Sequence, residues 1–223
     1  MCNASCIAFG AKYLSEFEVR NKRVLEVGAI DINGNLRPVV TAFGPKEYIG
    51  VDIEPGKGVD VVCRAEEILE RFGKESFDVI ITTEMLEHVR DWRLVVSNLK
   101  LICRPGGLIL LTTRSRGFKY HGFPYDFWRF EIADMQAIFS DLEILALEPD
   151  PDVPGVMLKA RKPEGEGFAE KDLSGIALYS VVTNSFVLDV KDGDFHSFYF
   201  TWIKFRTKLR EWRHAVKRVV GAT

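Results

Sequence analysis

Apolar residues come in short unbroken runs separated by polar turns that carry glycine, and this rhythm repeats along most of the chain. Val24, Leu25 and Val27 form the first run, with charge ahead of it and Gly28 behind. Such a run reads as a buried strand of a parallel sheet. A turn through Asn33 and Gly34 comes next, and residues 36–43 then read as a helix that tolerates Pro38 in its first turn. Residues 47–53 form a second strand that ends on the carboxylate of Asp52. A third short strand over 59–63, a helix over 64–72 closed by Gly73 and a fourth strand over 76–83 continue the pattern. Asp91 stands where an N-cap belongs, ahead of a helix to about Cys103 with Trp92, Val95, Val96 and Leu99 on its apolar side. Arg104-Pro105-Gly106-Gly107 ends that helix, and 108–113 is the fifth strand. A loosely periodic helix over 5–19 precedes the first strand and is expected to pack near the mouth of a cleft.

Strands that alternate with helices predict an α/β fold whose parallel sheet is covered on both faces, with right-handed crossovers. Past the fifth strand lies a loop over 114–130 crowded with aromatics, then a helix over 132–139. Strands over 142–147 and 156–160, joined by the 149–154 turn, close the sheet in antiparallel fashion. Strand, glycine turn and helix start present backbone N–H groups to a nucleotide-like ligand. An acid at the tip of the second strand accepts both hydroxyls of a ribose in such folds. The plainer reading of Asp52 is a cap on the turn 54–56.

Size and composition narrow the class. The 223 residues suffice for one well-buried domain plus an appendage, and 47% hydrophobic with 28% charged residues is ordinary for a globular chain. A net charge of −2 provides no global field that would draw in nucleic acid. Cys2, Cys6, Cys63 and Cys103 show no paired spacing and no accompanying histidines, so no metal site is expected, and Cys63 and Cys103 read as small buried hydrophobes. Neither a leader-like N-terminal segment nor a span long enough to cross a bilayer is visible, so a cytoplasmic location is expected.

Five features, taken in order, resemble the class I methyltransferases that use S-adenosylmethionine, in particular their type 11 group. They are Val24-Leu25-Glu26-Val27-Gly28, Asp52, Phe77-Asp78-Val79-Ile80, Leu86-Glu87-His88-Val89 and Arg104-Pro105-Gly106-Gly107, and the likeness spans residues 20–162. It implies a Rossmann-like, mostly parallel seven-stranded sheet with helices on both faces and an antiparallel C-terminal strand. It further implies S-adenosyl-L-methionine as cofactor and S-adenosyl-L-homocysteine as product. Gly28, Ala29 and the loop through Asp31 to Gly34 would lie against the methionine moiety. Glu26 would stand near its amino group or orient the loop. Asp52 would hold the ribose and Ile53 the adenine face. Ala65 and Glu66 would border the adenine edge, while Thr83 and Glu84 would flank the methyl-bearing end. Two departures from the family pattern stand out. Ile30 and Ile32 replace glycines of the usual loop, and Arg64 stands where an Asp often accepts from the adenine amino group, which an Arg cannot do. Backbone groups of Ala65 are left as the adenine reader.

Methyl transfer from a sulfonium needs the acceptor atom held in line, and an alcohol acceptor must also lose a proton. Of the four histidines, His88 follows the fourth strand, and His121 lies in the aromatic loop at the sheet edge where acceptors bind. His121 is the first choice of base. His88 is either a second catalytic candidate or a structural residue. His121, Tyr125 and Asp126 are expected to face the cleft, with Arg129 in an ion pair. Aromatic faces mixed with polar groups suit a sugar-like or ring-shaped acceptor. Similar loops in type 11-like chains are associated with glycan or glycolipid acceptors. The resulting reading is O-methylation of a sugar-containing or other small acceptor. N- or C-methylation, and a catalytically idle cofactor-binding subunit, remain as alternatives. A nicotinamide oxidoreductase is disfavoured because 28–33 lacks the G-x-G-x-x-G spacing.

The chain divides into a cofactor-binding domain over 1–162 and a C-terminal extension over 163–223. In the extension Phe198, Trp202, Phe205, Leu209, Trp212, Val216 and Val219 recur at heptad-like steps among seven basic residues and Glu211. This stripe suits docking on its own domain or on a second subunit, which is favoured, or contact with an anionic membrane surface. Nucleic acid is disfavoured, because the aromatics occupy the seam and not the basic face.

Overall fold

The computed structural model describes residues 3–122, 124–165 and 167–220, without the side chains of 211 and 214–220. Phe123 of the aromatic loop, and the side chains of Val216 and Val219 on the stripe, lie outside the described residues. The chain opens with α1 (Ala4–Tyr13) and α2 (Glu16–Val19). These replace the single helix expected over 5–19, because Leu14 is extended and Ser15 starts a new helix through a capping box with Glu18. Then come β1 (Arg23–Val27), α3 (Arg37–Ala42), β2 (Glu47–Asp52), β3 (Val61–Val62), α4 (Ile68–Phe72), β4 (Phe77–Thr83), α5 (Trp92–Ile102) and β5 (Cys103–Arg114). Asp91 caps α5 as expected, its side chain accepting from the Leu94 N–H. The segment 104–107 extends β5 at its start, beside a break in register against β4.

Next are β6 (Trp128–Arg129), α6 (Ile132–Ile138), β7 (Glu143–Pro149) and β8 (Gly155–Arg161). The main sheet has seven strands in the order β3-β2-β1-β4-β5-β8-β7, and only β8 runs antiparallel to its neighbours. Period-two alternation sends side chains to two separate apolar layers. Val24, Leu108 and Leu110 meet α1 and α3 on one face, while Leu25, Ile109 and Leu111 meet α5 and α6 on the other. Reversal of strand order between β1 and β4 opens a crevice at the carboxyl ends of the strands, where ligands of such sheets bind.

Beyond residue 162, β9 (Leu178–Ser180) and β10 (Ser185–Val187) join β6 in a second, three-stranded sheet, and α7 spans Phe198–Val220. Leu173, Leu178, Val181, Val182, Val190 and Phe200 belong to the same apolar cluster as Trp92 and Trp128. Arg90 and Arg93 at the start of α5 donate to the carbonyls of Val190, Leu173 and Ile176, which fastens the segment in place. α7 buries Phe200 at its base, whereas Phe198, Trp202, Phe205 and Trp212 are exposed. Among the described residues no helix is long and apolar enough to cross a membrane.

Candidate active site

A cleft of about 660 Å³ opens at the carboxyl ends of β1, β2 and β4. Its floor is the turn after β1. Gly28 has φ +82, and a Cβ there would come within 2.7 Å of the Met85 side chain, so only glycine fits. The Gly28 and Ala29 N–H groups both donate to the Val51 carbonyl, which locks the turn to β2. Asp31 accepts from the Gly34 N–H and pairs with Lys57, so the loop turns tightly without the usual glycines.

Asp52 ends β2 inside the cleft. Its two carboxylate oxygens accept from the backbone N–H groups of Ile30, at 3.0 Å, and Ile53, at 2.8 Å. Each oxygen keeps a second lone pair for a ligand hydroxyl. Ile53 and Ile32 line the cleft with their side chains half exposed, an apolar surface ready to cover a flat ring. Ala65 and Glu66 border the same end, with both carbonyls engaged by Asn98. Arg64 lines the cleft too, but it turns to Glu66 and Glu67.

The opposite end is built on β4. Glu84 sits at its tip with φ +55, a conformation most residues avoid, and its buried carboxylate pairs with Arg114 and accepts from Thr112. Burial, with Glu87 nearby, pushes the Glu84 carboxyl well above its usual range despite Arg114. Met85, His88, Val89 and Arg90 carry the wall onward to Pro124, Tyr125 and Phe127 of the aromatic loop.

Behind His88 lies a dense polar cluster. Glu87 is fully buried, accepts from Thr113 through Oε2, and has Oε1 3.6 Å from His121 Nε2 and 3.9 Å from His88 Nε2. The His88 Nδ1 lies 2.6 Å from the Tyr125 carbonyl, and the His121 Nδ1 lies 2.9 Å from Asp126 Oδ2. Arg129 holds both oxygens of Asp126. Burial works against a charged His121, but Asp126 and Glu87 on either side outweigh it and raise the ring to about 9. Burial likewise opposes charge on Asp126, and Arg129 with His121 overcomes it and keeps the group ionised.

Of the residues expected to form the site, Gly28, Asp52, Ile53, Ala65, Glu66, Glu84 and His88 line the cleft, while Glu26, Ala29, Asp31, Gly34, Thr83, His121 and Asp126 do not. Asp126, expected to face the cleft, is instead fully buried, because the Arg129 guanidinium and the His121 ring enclose it. Glu26 turns beneath the sheet and accepts from the Tyr48 hydroxyl at 2.8 Å. One wall has no counterpart among the expected residues. Asp192, Phe195 and His196 of the C-terminal segment line the cleft, with Phe195 packed on Tyr125 and Phe127. Their polar, glycine-containing run carries no periodicity that would mark it.

A family profile described as "Methyltransferase domain" matches residues 7–144. Among curated relatives, the "Ubiquinone biosynthesis O-methyltransferase" of Parvibaculum lavamentivorans is 40% identical over 70 residues, 31% of this chain and 27% of the relative. The protein of the same description from Rhizobium etli is 33% identical over 129 residues, 52% of this chain and 50% of the relative. The matched segment thus spans about half of these relatives or less. Among solved structures, a Burkholderia thailandensis 1,6-didemethyltoxoflavin-N1-methyltransferase with bound S-adenosylhomocysteine superposes with a TM-score of 0.58 at 14% identity, covering 72% of this chain and 79% of that one. At that identity the likeness concerns the fold.

Proposed function

Since the chain belongs to the methyltransferase-domain family, we propose that it moves the methyl group of S-adenosylmethionine onto a hydroxyl of a small, ring-shaped acceptor. The observation that carries this reading is a single cleft with a ribose-type carboxylate, Asp52, at one end and His88 among aromatic faces at the other. The chemistry of S-adenosylmethionine, when bound, is a methyl on a sulfonium open to in-line displacement. The protein's share is placement and proton handling. Gly28 lets the backbone approach the methionine part, Asp52 accepts from the ribose hydroxyls, and Ile53 covers the adenine. Tyr125, Phe127 and Phe195 flank the acceptor ring, and its hydroxyl loses its proton at the His88 end of the cleft. The curated relatives, named as O-methyltransferases, favour oxygen as the attacked atom.

A thermal-shift comparison tests the cofactor. S-Adenosylhomocysteine is expected to raise the melting temperature, and NADH to leave it unchanged. Incubation with methyl-labelled S-adenosylmethionine and panels of phenolic and sugar acceptors then reads the reaction. Binding without label transfer to either panel would favour the idle-subunit alternative.

For α7 we propose contact with an anionic lipid surface in preference to a second copy. Its exposed Phe198, Trp202, Phe205 and Trp212 lie among Lys204, Arg206, Lys208 and Arg213. Pairing two such helices would bring like charges together, whereas anionic headgroups complement them.

A further inference from the structure

We propose that Glu87, His88 and His121 form a binding site for one divalent transition-metal ion at the acceptor end of the cleft. The proposal rests on the methyltransferase reading only for the ion's use, not for its binding. One carboxylate oxygen and two ring nitrogens of these residues all lie within 4.8 Å of one another. Ligands about 2.1 Å from a tetrahedral ion are spaced by about 3.4 Å, so the 3.6 and 3.9 Å from Glu87 Oε1 to the two Nε2 atoms need only a small contraction.

Hydrogen bonding on the far sides of the rings decides which atoms face the site. A carbonyl oxygen can only accept, so His88 must donate from Nδ1 to Tyr125. The Asp126 carboxylate, held by Arg129, likewise draws the donor of His121 to Nδ1. Metal binding must displace the proton that Asp126 and Glu87 favour on His121, after which each ring has an Nε2 lone pair within 4 Å of the same carboxylate oxygen. A carboxylate behind a histidine is the usual outer support of a metal-bound imidazole. Glu87 Oε1 is buried and makes no hydrogen bond of normal length, its nearest partners being the His121 and His88 rings at 3.6 and 3.9 Å, a gap that a bound cation would fill.

Two imidazoles and a carboxylate select zinc, manganese, iron or cobalt over calcium or magnesium. Three protein ligands leave further positions, and His88 places the cluster against the cleft. An acceptor hydroxyl on an open position becomes more acidic and passes its proton to water at the cleft mouth. Its oxygen lone pair forms the new C–O bond as the methyl–sulfur bond breaks, and that pair stays on sulfur. The products are the methyl ether, neutral S-adenosylhomocysteine and one proton.

The test is titration of the chelator-treated full chain with Co²⁺, followed by visible absorption and equilibrium dialysis. One equivalent is expected to bind with nitrogen-ligand bands. His121→Ala should weaken binding roughly 100-fold, and Asp126→Asn about 10-fold, with S-adenosylhomocysteine affinity unchanged. The wild-type titration decides the matter even if a variant misfolds. Failure to bind Co²⁺ while S-adenosylhomocysteine still raises the melting temperature overturns the metal site and spares the methyltransferase reading. Co²⁺ binding without S-adenosylhomocysteine binding does the reverse.

Discussion

At the scale of single residues, Gly28 and Glu26 show how one turn constrains the cleft. Gly28→Ala would place a Cβ 2.7 Å from Met85 in a left-handed backbone, costing about 1–3 kcal/mol of stability. Calorimetric titration should show S-adenosylhomocysteine affinity falling at least about tenfold, since the turn must shift away from the ligand. Glu26 offers a pH test. Burial raises its carboxyl from 4.5 to about 7, against the Tyr48 hydrogen bond that favours ionisation. Between those values the folded chain keeps a proton that the unfolded chain has released. Stability therefore falls as pH rises across that window, by about 3 kcal/mol in total, and the Glu26 contribution is flat above it. Urea unfolding near the two ends of the window should show that slope, and Glu26→Gln should remove it. Gly28 and Asp52 were legible because a strand, a glycine and a terminal acid lie close together in sequence. The metal-ligand spacing was not, since Glu87 and His88 meet His121 only after the aromatic loop folds back between β5 and β6. Asp126 misled for the same reason, because its partner Arg129 is near it in sequence but closes over it only in the folded loop.

At the scale of elements, the apolar pattern identified each strand of the main sheet: β1, β4 and β5 as nearly continuous buried runs, and the half-exposed edge strands β3 and β7 as short apolar segments bounded by turns. It failed at the break between α1 and α2, where local capping by Ser15 and Glu18 outweighs a loose apolar repeat. α7 is the element whose role is most open to measurement. Wild-type protein is expected to sediment with phosphatidylglycerol vesicles and to be released by salt. Arg206→Gln with Arg213→Gln should weaken that binding by roughly 30-fold, at about 1 kcal/mol per basic side chain. A salt-insensitive dimer that ignores vesicles would instead assign the aromatic stripe to a second copy of the chain.

At the scale of the whole molecule, the expected parallel sheet is a consequence of strand–helix alternation and right-handed crossovers, and the turn over 149–154 returns β8 as its lone antiparallel strand. The sequence left open where the segment beyond residue 162 packs, because its apolar residues over 173–190 are scattered among small polar ones and show no single period. In the structure Phe195 lines the cleft, while Val181, Val182 and Phe200 belong to the same apolar cluster as Trp128. The part of the chain up to residue 162 therefore has no finished surface of its own on that side. A fragment stopped at Lys162 would bare a greasy scar over α5 and β6 and leave the cleft without its far wall, so shortening the chain for expression would yield a sticky, leaky remnant rather than a self-contained domain.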